Sequence, residues 1–198
     1  MNSVEVSRKR CEGILRNSML SFGYNRLLAE TGAWSALWLE DRNFDGVARL
    51  INYLVAIARH GPESLKPRKD DEFGVIGICP FMMASAVIDA SKSWFPKGGV
   101  SFGAPSEPFL MMASLADWSA TRNCSVRFTY SDYTCLMSPE GMEIDGVDLS
   151  LVGSVDTMSR RQMWFTLTSD RPKPGVRKLD RIALPASRLR GKKALDLT

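Results

Sequence analysis

Two amphipathic helices joined by a short turn are predicted between Tyr24 and Gly61, and this segment constrains the fold more than any other. Along each helix, apolar side chains recur at steps of three and four residues, which places them on one face. Asn43 or Asp45 can cap the start of the second helix. A helical hairpin this apolar cannot stand alone in water, so the remaining chain must cover it. The two apolar faces comprise Tyr24, Leu27, Leu28, Thr31, Trp34 and Trp38 in the first helix, and Val47, Leu50, Ile51, Leu54, Ile57 and Ala58 in the second.

Two tryptophans lie four residues apart on the face of the first helix, at Trp34 and Trp38. Such a pair can stack on a flat ligand, but it more often forms the centre of a helix–helix interface. We therefore expect both indoles to be buried, either within the chain or between two subunits.

The rest of the pattern predicts an α+β protein, with an N-terminal helical hairpin region followed by a mixed sheet with packed helices. The chain of 198 residues, 44% of them hydrophobic, is long enough for one sizeable core. A stretch rich in Pro, Lys, Asp and Glu, residues 61–72, is predicted to be an exposed connector. The predicted regions are 1–61 (helical), 73–185 (mixed α+β, within one compact domain overall) and 186–198 (a basic C-terminal tail).

Individual elements follow from the apolar period, which is 3.6 residues in a helix and two in a strand. A first helix is predicted over 4–20, and later helices over 81–94, 109–121 and 176–184. Strands are predicted over 73–79, 100–102, 126–130, 133–137, 142–144 and 162–168.

Several features predict a cytoplasmic protein that does not enter a membrane. The longest uncharged run, Phe73 to Ile88, is too short for a transmembrane helix and contains Pro80. The basic residues Arg8–Arg10 have no apolar block behind them, so we expect no secretory signal. The cysteines, which are spread without a close pair, favour a reducing compartment. They are Cys11, Cys79, Cys124 and Cys135.

No cofactor, metal site or catalytic residue is predicted from the motifs. The chain has a single histidine, His60, and lacks the glycine-rich phosphate and dinucleotide motifs. A zinc site built from cysteine and histidine would need ligands at close spacing, which this sequence does not offer.

The charge is uneven along the chain. The net charge is +4, but the segment from Arg171 onward carries nine Lys or Arg against two Asp, which leaves −3 for the rest. A basic tail can bind a polyanion, but a solvated terminal segment is the explanation we favour. In the helical hairpin, arginines are balanced by acidic residues, so nucleic acid is not an expected partner.

The strongest candidate site lies where two predicted strands run into helices, at Cys79-Pro80 and at Ser106-Glu107. If the two strands are parallel, a right-handed crossover brings both helix N-termini to one edge of the sheet. Backbone N–H groups and the helix dipoles would then form a cleft suited to a small anionic ligand, a carboxylate or a phosphate. The predicted ligand-binding residues are Cys79, Pro80, Phe81, Ser101, Ser106 and Glu107.

Cys79 has two interpretations. At a helix N-terminus, its thiol pKa would be lowered and the thiolate could act as a nucleophile. Cysteine is also among the most buried residue types, and Cys79-Pro80 can be an ordinary core segment before a helix. The sequence leaves both open.

Several motifs resemble a bacterial family catalogued as domain of unknown function 3726. In the hairpin these are Glu30-Thr-Gly-Ala-Trp34, Trp38-Leu39 and Phe44-Asp-Gly-Val-Ala-Arg-Leu50. Ile78-Cys-Pro80 and Leu184-Pro-Ala-Ser-Arg188 are similar to it as well, so the resemblance spans most of the chain. It implies no established reaction.

Three classes of function remain. The first is a non-catalytic small-molecule-binding protein or accessory subunit, as a homodimer or with a partner enzyme subunit. The second is an enzyme that uses Cys79 or a nearby carboxylate, and the third is a nucleic-acid-binding module that uses the basic tail. We expect the first, because it needs only the apolar helices and the anion cleft.

Overall fold

The protein has an α+β fold, as predicted from the sequence. The computed structural model describes residues 3–58, 65–70, 74–94, 100–121, 123, 125–130, 133–138, 142–145, 159–168 and 181–185. The helices are α1 (Arg8–Ser21), α2 (Arg26–Glu40), α3 (Gly46–Ile57), α4 (Pro80–Trp94) and α5 (Met112–Ala120), and a 3-10 helix, Pro108–Met111, directly precedes α5. The strands are β1 (Ser3–Ser7), β2 (Arg68–Asp70), β3 (Gly74–Ile76), β4 (Val100–Ala104), β5 (Ser125–Tyr130), β6 (Tyr133–Met137), β7 (Met142–Asp145), β8 (Ser159–Thr168) and β9 (Arg181–Pro185).

The main sheet has the strand order β4-β8-β5-β6-β7, and its pairings are antiparallel. Val126 pairs with Met137 on one side and with Leu167 on the other. Val126 and Phe128 are buried while Arg127 between them is exposed, which is the two-residue alternation expected of a sheet with one covered face. The covered face packs on α5.

Strand β1 pairs antiparallel with β9, with Val6 opposite Ile182, so residues near the two ends of the chain lie together. The prediction of a helix from Val4 is therefore wrong at its start. The helix begins at Arg8, and the Ser7 side chain accepts a hydrogen bond from the Arg10 amide. The predicted helix over 176–184 is also wrong where it overlaps β9. The tail 186–198 lies outside the described residues.

Helix α2 lies at the centre of the helical part and packs against α1, α3 and α5. A methyl group built on Gly46, the first residue of α3, would lie 2.0 Å from the Ala36 carbonyl oxygen, so only glycine allows this approach. Asp45 is the N-cap residue of α3 but makes no side-chain capping bond, and Asn43 lies two residues before it. Glu40 makes a capping bond instead: its Oε2 accepts from the Val47 amide at 3.0 Å.

The buried face of α2 differs from the predicted one. Trp38 is buried, but Trp34 is 38% exposed and Leu27 is 72% exposed. The small residues of the helix face the core instead. Because an α-helix turns by 100° for each residue, these small residues lie on the side away from Trp34. Small side chains let neighbouring helices approach closely, which outweighs the larger apolar area of the indole. These inward residues are Ala29, Gly32, Ala33 and Ala36.

One continuous cluster of buried side chains runs from Val6 to Met142 and joins the helical residues to those of the sheet. The predicted connector, 61–72, belongs partly to this body. Leu65 is buried, and β2 pairs antiparallel with β3. The helical region and the mixed region therefore share a core, which positions the two strand–helix junctions beneath α3.

Candidate functional site

The two strand–helix junctions predicted to form a site lie side by side. The Ser106 amide, after β4, donates a hydrogen bond of 3.2 Å to the carbonyl oxygen of Ile78, after β3. Cys79 precedes α4, and Glu107 precedes the 3-10 helix. Ser101 lies in β4 opposite Trp164, and its side chain is outside the described part of the structure. The other five predicted residues, Cys79, Pro80, Phe81, Ser106 and Glu107, are all buried.

Cys79 is fully buried, with no part of the residue exposed to solvent. Burial raises the pKa of the Cys79 thiol, and this effect outweighs the nearby backbone amides of Met82 and Phe81 and the nearby tyrosine hydroxyls, which lower it. Of the two interpretations of Cys79, the core residue agrees with the structure, and the helix terminus that could lower the thiol pKa lies inside the core.

Tyr24 and Tyr53 complete a polar cluster around this sulfur. Their hydroxyls are hydrogen-bonded to each other, and burial raises the pKa of both phenols. The Tyr53 ring also meets Phe81 edge to face, with the ring centroids 6.0 Å apart. The cluster links α3 to the start of α4, at a helix terminus that lies inside the core.

The second junction holds a buried ion pair between Arg49 and Glu107. The distance between Arg49 Nη1 and Glu107 Oε2 is 3.2 Å, and the two side chains are 10% and 1% exposed. Arg49 Nε donates to the carbonyl oxygen of Phe44 at 2.9 Å. The guanidinium carbon lies 4.5 Å from the centre of the Phe109 ring, and this ring stacks on Phe44. Arg49 thus connects the loop between α2 and α3 with the junction after β4.

Three unfavourable features coincide at Glu107. Its backbone is in the left-handed region, with φ 50° and ψ 67°, which residues other than glycine rarely adopt. Its carboxylate is buried, and burial raises the pKa of Glu107 even though Arg49 opposes that shift. Its Oε1 atom is buried without a hydrogen-bond partner among the described residues. Each of these features lowers the stability of the folded chain.

Sequence reasoning identified Ser106 and Glu107 from their place before a helix, but it missed Arg49, Phe44 and Phe109. One signal was available for Arg49, which interrupts the apolar pattern between Val47 and Leu50. A cation on an apolar helix face requires a partner. The partner lies 58 residues away, a distance that periodicity cannot bridge.

Two other arginines of the helical part are also occupied. Arg42 lies over the Trp38 ring at 3.6 Å and donates to the Trp38 carbonyl oxygen at 2.9 Å. Arg8 binds Asp41 through two contacts, of 2.6 and 3.0 Å. Together with Arg49, these arginines are engaged in contacts within the chain.

Comparisons with protein-family models, curated proteins and solved structures found no match. The resemblance to the family of domain of unknown function 3726 therefore stays a prediction. Within the described ranges, no three Cys, His, Asp or Glu side chains are grouped so as to hold a metal ion. None of the helices in the described part of the chain is both long and apolar enough to span a membrane.

Proposed function

We propose that this chain is a non-catalytic small-molecule-binding protein or accessory subunit of the cytoplasm, with its ligand site at Glu107. The single observation that supports this proposal is the unpartnered Oε1 atom of the buried Glu107 carboxylate. A polar group of a ligand placed there would complete the hydrogen bonding of the site.

The energetics of Glu107 favour a role beyond folding. A left-handed backbone at a residue other than glycine costs about 1–3 kcal/mol. An unsatisfied buried oxygen costs about 1–3 kcal/mol more, and a buried ion pair is often no more stabilising than apolar residues of the same volume. Folding alone gives no reason to combine these features at one residue, whereas binding does, because strained and unsatisfied groups cluster at ligand sites.

The surroundings of Glu107 support the same interpretation. Oε2 is held by Arg49, so the carboxylate is fixed in orientation before any ligand arrives. Phe109 is fully buried, while Phe44, which stacks on it, is only half-buried and lies in the loop between α2 and α3. Asn43 and Asp45, on either side of Phe44, are exposed. Displacement of this surface loop is the route by which a ligand would reach the site.

An enzyme is the second candidate, and Glu107 rather than Cys79 supports it. Burial raises the pKa of the Glu107 carboxyl group, and carboxyl groups shifted in this direction are used as general acids and bases in enzymes. Cys79 supports it less, because a nucleophilic thiol has to be both ionised and accessible. The side chains in contact with Glu107 are the cation Arg49 and core residues, which suits positioning better than proton transfer.

An accessory role would use the exposed apolar side chains of the helical part. Leu27 is 72% exposed, Trp34 38%, Leu20 41% and Phe22 36%. Leu27 and Trp34 lie seven residues apart on α2 and therefore on one face. We propose this face as the contact for a second copy of the chain or for a partner enzyme subunit. Light scattering of the purified chain and of Leu27→Glu tests the homodimer directly.

Thermal unfolding in the presence of small molecules tests the binding proposal. The panel comprises carboxylates, phosphates, amides and polyols, and a ligand at one hundred times its dissociation constant should stabilise the chain by about 2.7 kcal/mol. The same panel is applied to Glu107→Gln and to Glu30→Gln, where Glu30 pairs with Arg26 at the surface. A ligand that binds at the site must stabilise Glu107→Gln to a different extent from the wild type. It must stabilise Glu30→Gln to the same extent as the wild type. No stabilisation by any compound, or an equal response in both variants, contradicts the proposal.

A further inference from the structure

We infer that the ligand group recognised at Glu107 is a neutral hydrogen-bond donor, an amide N–H or a hydroxyl, and not an anion. This inference rests on the proposed function, since it names the chemistry of the same site. It replaces the anionic ligand expected from the sequence with one that fits the observed contacts.

The charge of the buried pair favours a neutral ligand group. Glu107 and Arg49 form a pair without net charge inside the protein, with the two side chains 1% and 10% exposed. An anion beside Oε1 would lie next to a carboxylate in a medium where repulsion is strong, and a cation would leave a net positive charge beside Arg49. A neutral group avoids both penalties.

The groups that would attract an anion are Arg49 and the amides at the start of α4. Arg49 already donates to Glu107 Oε2 and to the Phe44 carbonyl oxygen, and its guanidinium covers the Phe109 ring. At the neighbouring junction, Cys79, Pro80 and Phe81 are all buried, so the start of α4 lies inside the core. The groups on which the anion prediction depended are therefore engaged or buried within the chain.

The direction of the missing hydrogen bond favours a donor. An ionised carboxylate oxygen can only accept, so Oε1 requires a donor from its partner. Hydrogen bonds to a charged acceptor are about twice as strong as neutral ones, so a single N–H or O–H can contribute substantially to binding.

Two matched pairs of probes separate a donor from an anion of the same shape: benzamide with benzoate, and acetamide with acetate. We expect at least one amide to bind the wild-type chain, and the corresponding carboxylate to bind at least tenfold more weakly. The variant Glu107→Gln should then weaken the amide about tenfold, because the single Gln oxygen must accept from Arg49, which leaves an NH2 donor in the place of Oε1. It should strengthen the carboxylate, because the like charge is removed. Glu30→Gln should change neither.

The signs of these changes distinguish the possible failures. Carboxylates that bind better than amides, and tighter still in Glu107→Gln, overturn the neutral-donor inference and leave the proposed function standing. Failure of all four probes, together with the wider panel, overturns the proposed function and this inference with it. If Glu107→Gln does not fold, the wild-type chain labelled with ¹³C at its glutamate carboxyls gives the answer by NMR. Whichever of benzamide and acetamide binds must then shift the ¹³C signal of the Glu107 carboxyl group. A bound amide that leaves this signal unshifted overturns the inference.

Discussion

Arg49 on α3 and Glu107 after β4, 58 residues apart in the sequence, are joined by a 3.2 Å ion pair inside the core. The pair links the helical part of the chain to the strand–helix junctions. It also leaves one carboxylate oxygen, Glu107 Oε1, without a partner in the described structure. Structure and proposed function therefore depend on the same two residues, and variants can separate the two roles.

Removing one partner of the pair should be much worse than removing both. Arg49→Met leaves the Glu107 charge buried and unpaired, so it should lower the free energy of unfolding by about 3–5 kcal/mol. The double variant Arg49→Met/Glu107→Leu buries no charge, and we expect it to recover most or all of that loss. Urea denaturation of the wild type, both single variants and the double variant measures the coupling. Additive losses in the double variant would mean that the pair contributes little.

The stability of the protein should respond to pH through Glu107. Burial raises the pKa of Glu107 above the ordinary value of 4.5, so the folded chain holds its proton to a higher pH than the unfolded chain does. The protonated Glu107 side chain therefore contributes to the free energy of unfolding. This contribution is fully present below the pKa of the group in the unfolded chain, and it is lost as the pH rises through its pKa in the folded chain. Relative to Glu107→Gln, the wild type should therefore become less stable as the pH rises from about 4.5.

This pH comparison needs the variant as its reference, because burial raises the pKa of Glu40 as well. That contribution is the same in both proteins and cancels in the difference. Urea denaturation of each protein across the pH range gives the measurement. A difference in stability that stays constant with pH would show that the carboxylate titrates normally.

The cysteine thiols described as buried should resist alkylation in the folded state. Cys79 is inaccessible, and burial raises the pKa of its thiol, of the Cys135 thiol and, to about 11, of the Cys11 thiol. We expect iodoacetamide to modify these three only after denaturation, as followed by mass spectrometry. Rapid alkylation of Cys79 in the native protein would restore it as a candidate nucleophile.

The two tryptophans of α2 should differ sharply when they are truncated. Trp38 is buried beneath Arg42, so Trp38→Ala should lower the free energy of unfolding by about 3–5 kcal/mol. Trp34 is 38% exposed, so Trp34→Ala in the monomer should lower it clearly less than Trp38→Ala does. A large loss from Trp34→Ala that depends on protein concentration would indicate that a second subunit covers this face.

The sequence predicts the α+β class and most of the element types, because the apolar period is a local property. Residues 126–130 show this: the alternation of Val126, Arg127 and Phe128 is visible in the sequence and persists in β5. The N-terminal strand is missed because its partner, β9, lies at the other end of the chain. Pairing over such a distance leaves no periodic signal in a segment as short as Ser3–Ser7.

The errors at α2 and at the site have physical causes of their own. Periodicity assigns the largest apolar side chains to the core, whereas α2 buries Gly32, where an added methyl group would lie 2.0 Å from Met19 Sδ. Close approach of two helices depends on small side chains at their contact, and a hydrophobic pattern does not indicate where those side chains are needed. The two predicted junctions do lie side by side, but burial gives them a different chemistry from the predicted one, because Cys79 is a core thiol and Glu107 is a paired carboxylate.

The central claim is that the unpartnered oxygen of Glu107 is the point at which a ligand is recognised. A crystal structure of the protein bound to its most stabilising ligand tests this most directly. The account predicts an N–H or O–H group of that ligand within about 2.7–3.2 Å of Glu107 Oε1, with the Arg49 contact to Oε2 retained. A ligand bound elsewhere, with Oε1 satisfied by an ordered water or by the chain itself, would contradict it.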